Sequence, residues 1–146
     1  MLSQSIASSL AVLCAAGLAQ ADTLSLADIK ARNGTQLSEE QLQKLIPGAN
    51  VVNHAPNGST RTWTNKPDGS LVASTDSRGR SSTGGTRPHS AEGSWRIENG
   101  AYCVKMQWPL AEEKWCRHLY QVGGKYYGVG ARADDTAPAM ELEFGK

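Results

Sequence analysis

Alternation of apolar and polar residues dominates the second half of the chain and predicts an antiparallel sheet. The segment GSWRIENGAYCVKMQW, residues 93–108, alternates on both sides of Asn99-Gly100. Asn-Gly between two alternating runs is the strongest short-range signal for a two-residue β-hairpin turn. A turn at this point would place Trp95 directly opposite Val104 on the neighbouring strand.

The next turn should bring two cysteines together. If residues 108–111 form a four-residue loop, Cys103 lies opposite Cys116. Directly opposed residues of an antiparallel pair are close enough for a disulfide, so we expect this bond. The same register pairs Lys105 with Lys114, which is unfavourable for like charges. A longer loop would relieve that repulsion.

Side chains alternate between the two faces of a strand, so these registers assign each residue to a face. The face expected to pack on the core carries Trp95, Ile97, Tyr102, Val104, Met106, Trp115 and Leu119. The other face carries Arg96, Cys103, Lys105, Lys114, Cys116 and His118. A third turn at Gly123-Gly124 would pair Tyr120 with Tyr127 on the face opposite the tryptophans. If helices cover only one face, these tyrosines form an exposed aromatic patch of the kind that often marks a binding surface.

Two short helices are predicted before the sheet. Ser25 can cap a helix that ends at Asn33-Gly34, and in LSEEQL the residues Ser38 and Gln41 form a capping box. Further strands are predicted in RTWTN and SLVAS, joined by a Pro-Asp-Gly turn, and in the final AMELEF. The predicted fold is therefore α+β and β-rich. Two N-terminal helices precede an antiparallel meander of about six or seven strands, a partial barrel or sandwich with one disulfide.

Residues 1–21 have the pattern of a secretory signal peptide. An uncharged apolar run ends in Ala19-Gln20-Ala21, although no Lys or Arg precedes the run. Leu13 before Cys14 argues against lipidation, because that machinery prefers a small residue there. Residues 22–146 are then expected to form a single periplasmic or secreted domain, with a helical segment over 22–48 and the sheet over 49–146.

Composition and motifs argue against several chemistries. With 15 basic and 14 acidic residues the net charge is +1, too small for a nucleic-acid footprint. No G-x-S-x-G motif occurs, and a metal site at Cys103, Cys116 and His118 would lack nearby further ligands. We therefore predict no catalytic, cofactor-binding or metal site, and no stable membrane insertion.

Residues 77–92 are rich in Ser, Gly and Arg and predict a long mobile loop inside the domain. Its arginines Arg78, Arg80 and Arg87 allow two interpretations: a solvated flexible loop, or a contact loop for an anionic or protein partner. These three residues, with Tyr120 and Tyr127, are the candidates for partner binding.

From Leu45 onward the chain resembles small secreted bacterial domains of unknown function. The similar segments are LIPG, RTWTNKPDGSLVAS, GSWRIENGAYCV and WCRHLYQVGGKYY. The resemblance implies export, a disulfide and a small antiparallel sheet or partial barrel, and it carries no catalytic residues.

The function predicted from these features is that of an exported, non-enzymatic binding domain. Its partner would be an exported protein or a component of the cell envelope. One alternative is an inhibitor or immunity protein for an exported enzyme. Another is a small-ligand carrier or an enzyme with its site in the mouth of a barrel, which would require a pocket of suitable size.

The disulfide gives a direct prediction. Under non-reducing conditions, the mass of the mature protein should lie two hydrogens below the reduced value, because Cys103 and Cys116 are joined. Free thiols that react with iodoacetamide without prior reduction would contradict it.

Overall fold

The structure is a computed structural model that describes residues 23–56, 58–76 and 89–146 of the 146-residue chain. The predicted signal peptide lies outside the described residues. So do Arg78, Arg80 and Arg87, the three arginines of the predicted contact loop.

The described residues form two helices and nine strands. The helices are α1 (Leu26–Ala31) and α2 (Glu39–Leu45). The strands are β1 (Thr35–Gln36), β2 (Asn50–His54), β3 (Thr60–Asn65), β4 (Ser70–Asp76), β5 (His89–Glu98), β6 (Ala101–Gln107), β7 (Glu112–Val122), β8 (Lys125–Gly130) and β9 (Met140–Gly145).

Eight of the strands close into an antiparallel barrel. Their order is β7-β6-β5-β4-β3-β2-β9-β8, and β8 pairs with β7 to complete the ring. The short β1 pairs with the far end of β7, where Gln36 lies opposite Tyr120, beyond the last residue that pairs with β6. β7 therefore bonds to three different strands: β6 and β8 in the ring, and β1 outside it. We call the β7–β8 pairing the seam of the barrel.

The predicted fold class is wrong in its architecture. The sheet has nine strands rather than six or seven, and it closes instead of remaining a partial barrel or sandwich. The helices do not form an N-terminal unit ahead of the sheet, because β1 lies between them. Residues 89–92, predicted as the end of the loop, are the first residues of β5.

The two strands that the sequence did not reveal are β1 and β2. β1 has only two residues, too few for any periodic signal. β2 reads NVVNH, and its inward positions include the buried amide of Asn53 as well as Val51. A buried polar residue breaks the apolar alternation by which strands are recognised.

The predicted hairpin registers are confirmed. Trp95 lies opposite Val104, and Cys103 lies opposite Cys116 and is bonded to it. The turn has φ of 52° at Asn99 and 72° at the following glycine, which are the left-handed values of a type I′ turn. The like-charged pair of Lys105 and Lys114 also occurs.

α2 closes one end of the barrel. Its capping box is formed as predicted, with Ser38 Oγ accepting from the Gln41 N–H. Leu42 and Ile46 are fully buried in the same cluster as the side chains of the barrel interior. This end also holds a buried hydrogen-bond chain, in which Trp63 Nε1 donates to Tyr102 Oη at 3.0 Å. Burial raises the pKa of Tyr102, so its hydroxyl stays protonated and donates to Asn65 Oδ1 at 2.7 Å.

α1 covers the outside of the barrel wall. Leu24, Leu26 and Ile29 form a second buried cluster with Tyr127 and Val129 of β8. Both faces of the sheet are therefore covered at the β7–β8 seam, one by the barrel interior and one by the N-terminal segment.

The closed end can be tested at Leu42. We expect Leu42→Ala to lower the free energy of unfolding by about 2–5 kcal/mol, because it leaves a cavity between α2 and the barrel. The neighbouring Gln43 is exposed, so Gln43→Ala should change it by less than about 0.5 kcal/mol. Urea denaturation compares them, and similar losses in both variants would show that α2 does not seal the barrel.

Candidate functional site

Among the described residues, the end of the barrel opposite α2 is polar and no helix covers it. It is formed where β2, β4, β6 and β8 end and where β3, β5, β7 and β9 begin. We call this end the barrel mouth and define it by Arg61, Thr75, His89, the loop Trp108–Ala111 and Glu113. These residues, together with the exposed Glu112, line a cavity of about 440 Å³.

Glu113 is the centre of the polar groups at the barrel mouth. Its Oε1 forms an ion pair with Arg61 Nη1, and its Oε2 accepts a hydrogen bond of 3.1 Å from Trp115 Nε1. Arg61 also lies over the ring of Trp108, with its Cζ atom 5.4 Å from the ring centroid. Glu113 is thus fixed from two sides by groups of β3 and β7.

Arg117 lies one step further inside the barrel. It faces inward because it lies opposite the buried Tyr102, and its guanidinium is 5.5 Å from the ring centroid of Trp115. Burial lowers the pKa of Arg117, and the nearby charge of Glu113 opposes that shift. Arginine still remains charged at neutral pH.

The side chain of Arg117 depends on a glycine for its space. A Cβ atom at Gly128 would lie 3.0 Å from Arg117 Cδ and 3.5 Å from Leu142 Cδ1. The same glycine accepts, through its carbonyl oxygen, a long hydrogen bond of 3.4 Å from Arg117 Nη1. β8 therefore leaves room for the aliphatic part of the Arg117 side chain and also orients its guanidinium group.

The loop Trp108–Ala111 forms the rim of the barrel mouth. The Trp108 N–H donates to Ala111 O at 2.8 Å, which closes the four-residue loop predicted from the sequence. Leu110 at the tip is 97% exposed. The indole Nε1 of Trp108 is buried and has no partner among the described residues. An apolar tip beside a concave surface is a shape suited to recognition.

The predicted site residues do not come together in one place. Tyr127 is only 7% exposed beneath α1, and Tyr120 is partly buried beside it, so these residues form no exposed aromatic patch. Arg78, Arg80 and Arg87 lie outside the described residues, and their role in partner binding stays a prediction. The flanking residues Asp76 and His89 place both ends of that segment at the barrel mouth.

Sequence reasoning missed Glu113 and Arg117, although the signal was present. The predicted register placed Trp115 and Leu119 on the core face. Strict alternation then places Glu113 and Arg117 on that same face. Two charged residues at core positions of one strand, on either side of Trp115, indicate a polar interior.

Other kinds of site find no support among the described residues. The described residues contain no group of three or more His, Cys, Asp or Glu side chains that could hold a metal ion. Cys103 and Cys116 are joined in a disulfide, so neither offers a thiolate. No helix in the part of the chain that the structure describes is long and apolar enough to cross a membrane.

Comparisons with known proteins give no assignment. No protein-family model matches the chain, and neither the curated proteins nor the solved structures yield a significant match. Function must therefore be inferred from the geometry of the barrel mouth.

Glu113 gives the clearest stability test of this site. We expect Glu113→Gln to lower the free energy of unfolding by about 1–3 kcal/mol, because two partly buried guanidinium groups lose the carboxylate between them. Glu112 is the matched control, since it is exposed and lies 3.8 Å from Lys105 Nζ. Glu112→Gln should cost less than about 1 kcal/mol in urea denaturation. Equal losses in the two variants would contradict the role given to Glu113.

Proposed function

We propose that the protein is a non-catalytic binding domain that contacts an exported or cell-envelope protein through its barrel mouth. The proposal rests above all on Leu110, which is 97% exposed on the rim of a cavity of about 440 Å³. Leaving a large apolar side chain in water has a cost that a partner pocket would remove.

The surroundings of Leu110 favour a protein partner. Among the described residues the only other large apolar side chain classed as exposed is Val72, at 43%, on the outer wall. Beneath Leu110 the ion pair of Arg61 and Glu113 offers polar groups next to the apolar rim. Apolar anchors bordered by polar groups are typical of protein interfaces.

The compartment is part of the same proposal. The disulfide between Cys103 and Cys116 is present in the structure, and such bonds persist mainly in oxidising compartments. The signal-peptide pattern of residues 1–21 agrees with that interpretation. We therefore place the binding domain in the periplasm or outside the cell.

An inhibitor of an exported enzyme is the second candidate. One observation favours it: the loop that carries Leu110 is short and closed by main-chain hydrogen bonds between Trp108 and Ala111. The disulfide links the same two strands, β6 and β7. A preorganised tip of this kind loses little conformational entropy when it enters a partner's pocket.

Site-specific photocrosslinking in the native host tests the proposal. A photoreactive amino acid at Leu110 should give a discrete cross-linked protein, because this side chain would lie in the interface. The matched control is the same amino acid at Val72, which is apolar and exposed but lies on the barrel wall.

The outcome separates the candidates. A product at Leu110 that Val72 does not give supports the barrel mouth as the interface. Mass spectrometry of that product distinguishes an enzyme, whose activity can then be assayed with added protein, from a structural component of the envelope. Equal labelling at the two positions, or none at Leu110, would contradict the proposal.

A further inference from the structure

Arg117 is a partly buried cation with an incomplete set of partners. Its Nε atom is buried and has no hydrogen-bond partner among the described residues. Its Nη1 makes the long bond to Gly128 O, and no ion pair to Arg117 occurs in the described part of the chain. Buried charges in proteins are normally paired and hydrogen-bonded, so this group requires an explanation.

The neighbouring groups do not supply the missing partner. Glu113 is the nearest carboxylate whose charge acts on Arg117, and both its oxygens are engaged, by Arg61 and by Trp115. The Trp115 ring is a partner of a different kind, because a cation–π contact uses the face of a guanidinium and leaves its in-plane N–H groups free. The single carboxylate of Glu113 therefore acts on two guanidinium groups, those of Arg61 and Arg117. One of the two positive charges is left without a carboxylate of its own.

Arg117 also lines a second cavity, of about 300 Å³. Arg117 is the only β7 residue that lines it, at the point where the pairing of β7 with β8 begins among the described residues. Leu24, Pro138, Ala139 and Met140 supply apolar walls, and Asn53 contributes an amide. Glu141 also lines the cavity, but its carboxylate is paired with Lys125 at 3.2 Å.

We propose that Arg117 and this cavity form a binding site for a carboxylate group carried on a small apolar body. The flat edge of a guanidinium matches the two oxygens of a carboxylate, and the apolar walls would bury the rest of the ligand. The cavity shares no lining residue with the one beneath Leu110, so this site goes beyond the proposed function.

Calorimetric titration of the full exported chain with sodium benzoate and sodium acetate tests the site, against sodium chloride at equal ionic strength. Both carboxylates should bind saturably, and benzoate more tightly because of its apolar ring. Arg117→Met should weaken benzoate binding by about tenfold or more, since it removes a charge-assisted hydrogen bond. Arg96→Met is the matched control, because Arg96 is an exposed arginine on the outer face of β5, and it should leave the affinity unchanged.

A measurement on the unmodified protein covers the case in which Arg117→Met fails to fold. In a nitrogen-15 NMR titration, one slowly exchanging arginine Nε–H signal, assigned by its contact with Gly128, should shift with benzoate at the affinity found by calorimetry. If this signal does not move while other signals do, the ligand binds elsewhere and the proposal is wrong.

Two further probes identify the chemistry and the source of the carboxylate. Inorganic phosphate should bind more weakly than benzoate, and tighter phosphate binding would overturn the choice of a carboxylate. A short apolar peptide with a free carboxyl terminus is compared with its amidated form. Preference for the free peptide over benzoate would identify a polypeptide end as the natural source, and the reverse would identify a free organic acid. No saturable binding of any carboxylate would overturn the proposal.

Discussion

The pairing of β7 is the constraint on which the rest of the structure depends. Its first half bonds to β6, its second half bonds to β8, and its far end also bonds to β1. The ring needs the β7–β8 contact as well as the β2–β9 pairing, and one long strand makes the β7–β8 contact possible by changing neighbours along its length. The disulfide between Cys103 and Cys116 fixes the register of the first half. By strand alternation, that register directs Glu113, Trp115 and Arg117 into the interior.

The two ends of the barrel differ because of what β7 contributes to each. At the end closed by α2, Leu119 packs in the main cluster of buried apolar side chains. At the barrel mouth the same strand supplies Glu113 and Arg117, whose charges need partners that an apolar core does not offer. Stability is therefore concentrated at one end. The other end, opposite α2, carries the exposed rim, the cavities and an unbalanced positive charge. Features of this kind are suited to binding a partner or a ligand.

Turn and alternation signals in the sequence predicted the hairpins correctly. They did not predict that the sheet closes into a barrel. The Asn99-Gly100 turn and the alternation around it determine the β5–β6 register, and two cysteines reinforce the next pairing. Closure depends instead on β2 meeting β9, in which Val51 lies opposite Phe144, and no turn links residues so distant in sequence. The polar interior follows from the same register, because the register that puts Tyr102 on the core face places Arg117 opposite it. The exposed patch predicted for Tyr127, if helices cover only one face, does not form, because Ile29 of α1 packs with Tyr127 and the sequence pattern does not locate that contact.

The central claim is that Arg117, further inside the barrel than the mouth, carries a positive charge that no carboxylate among the described residues pairs with. A crystal structure of the protein soaked in sodium bromide tests it directly, since bromide can be located by its anomalous scattering. The claim predicts a bromide ion within hydrogen-bond distance of the Arg117 guanidinium and none of similar occupancy at the exposed Arg96. A structure in which Arg117 Nε donates to a protein oxygen, with no bromide in the cavity, would contradict it.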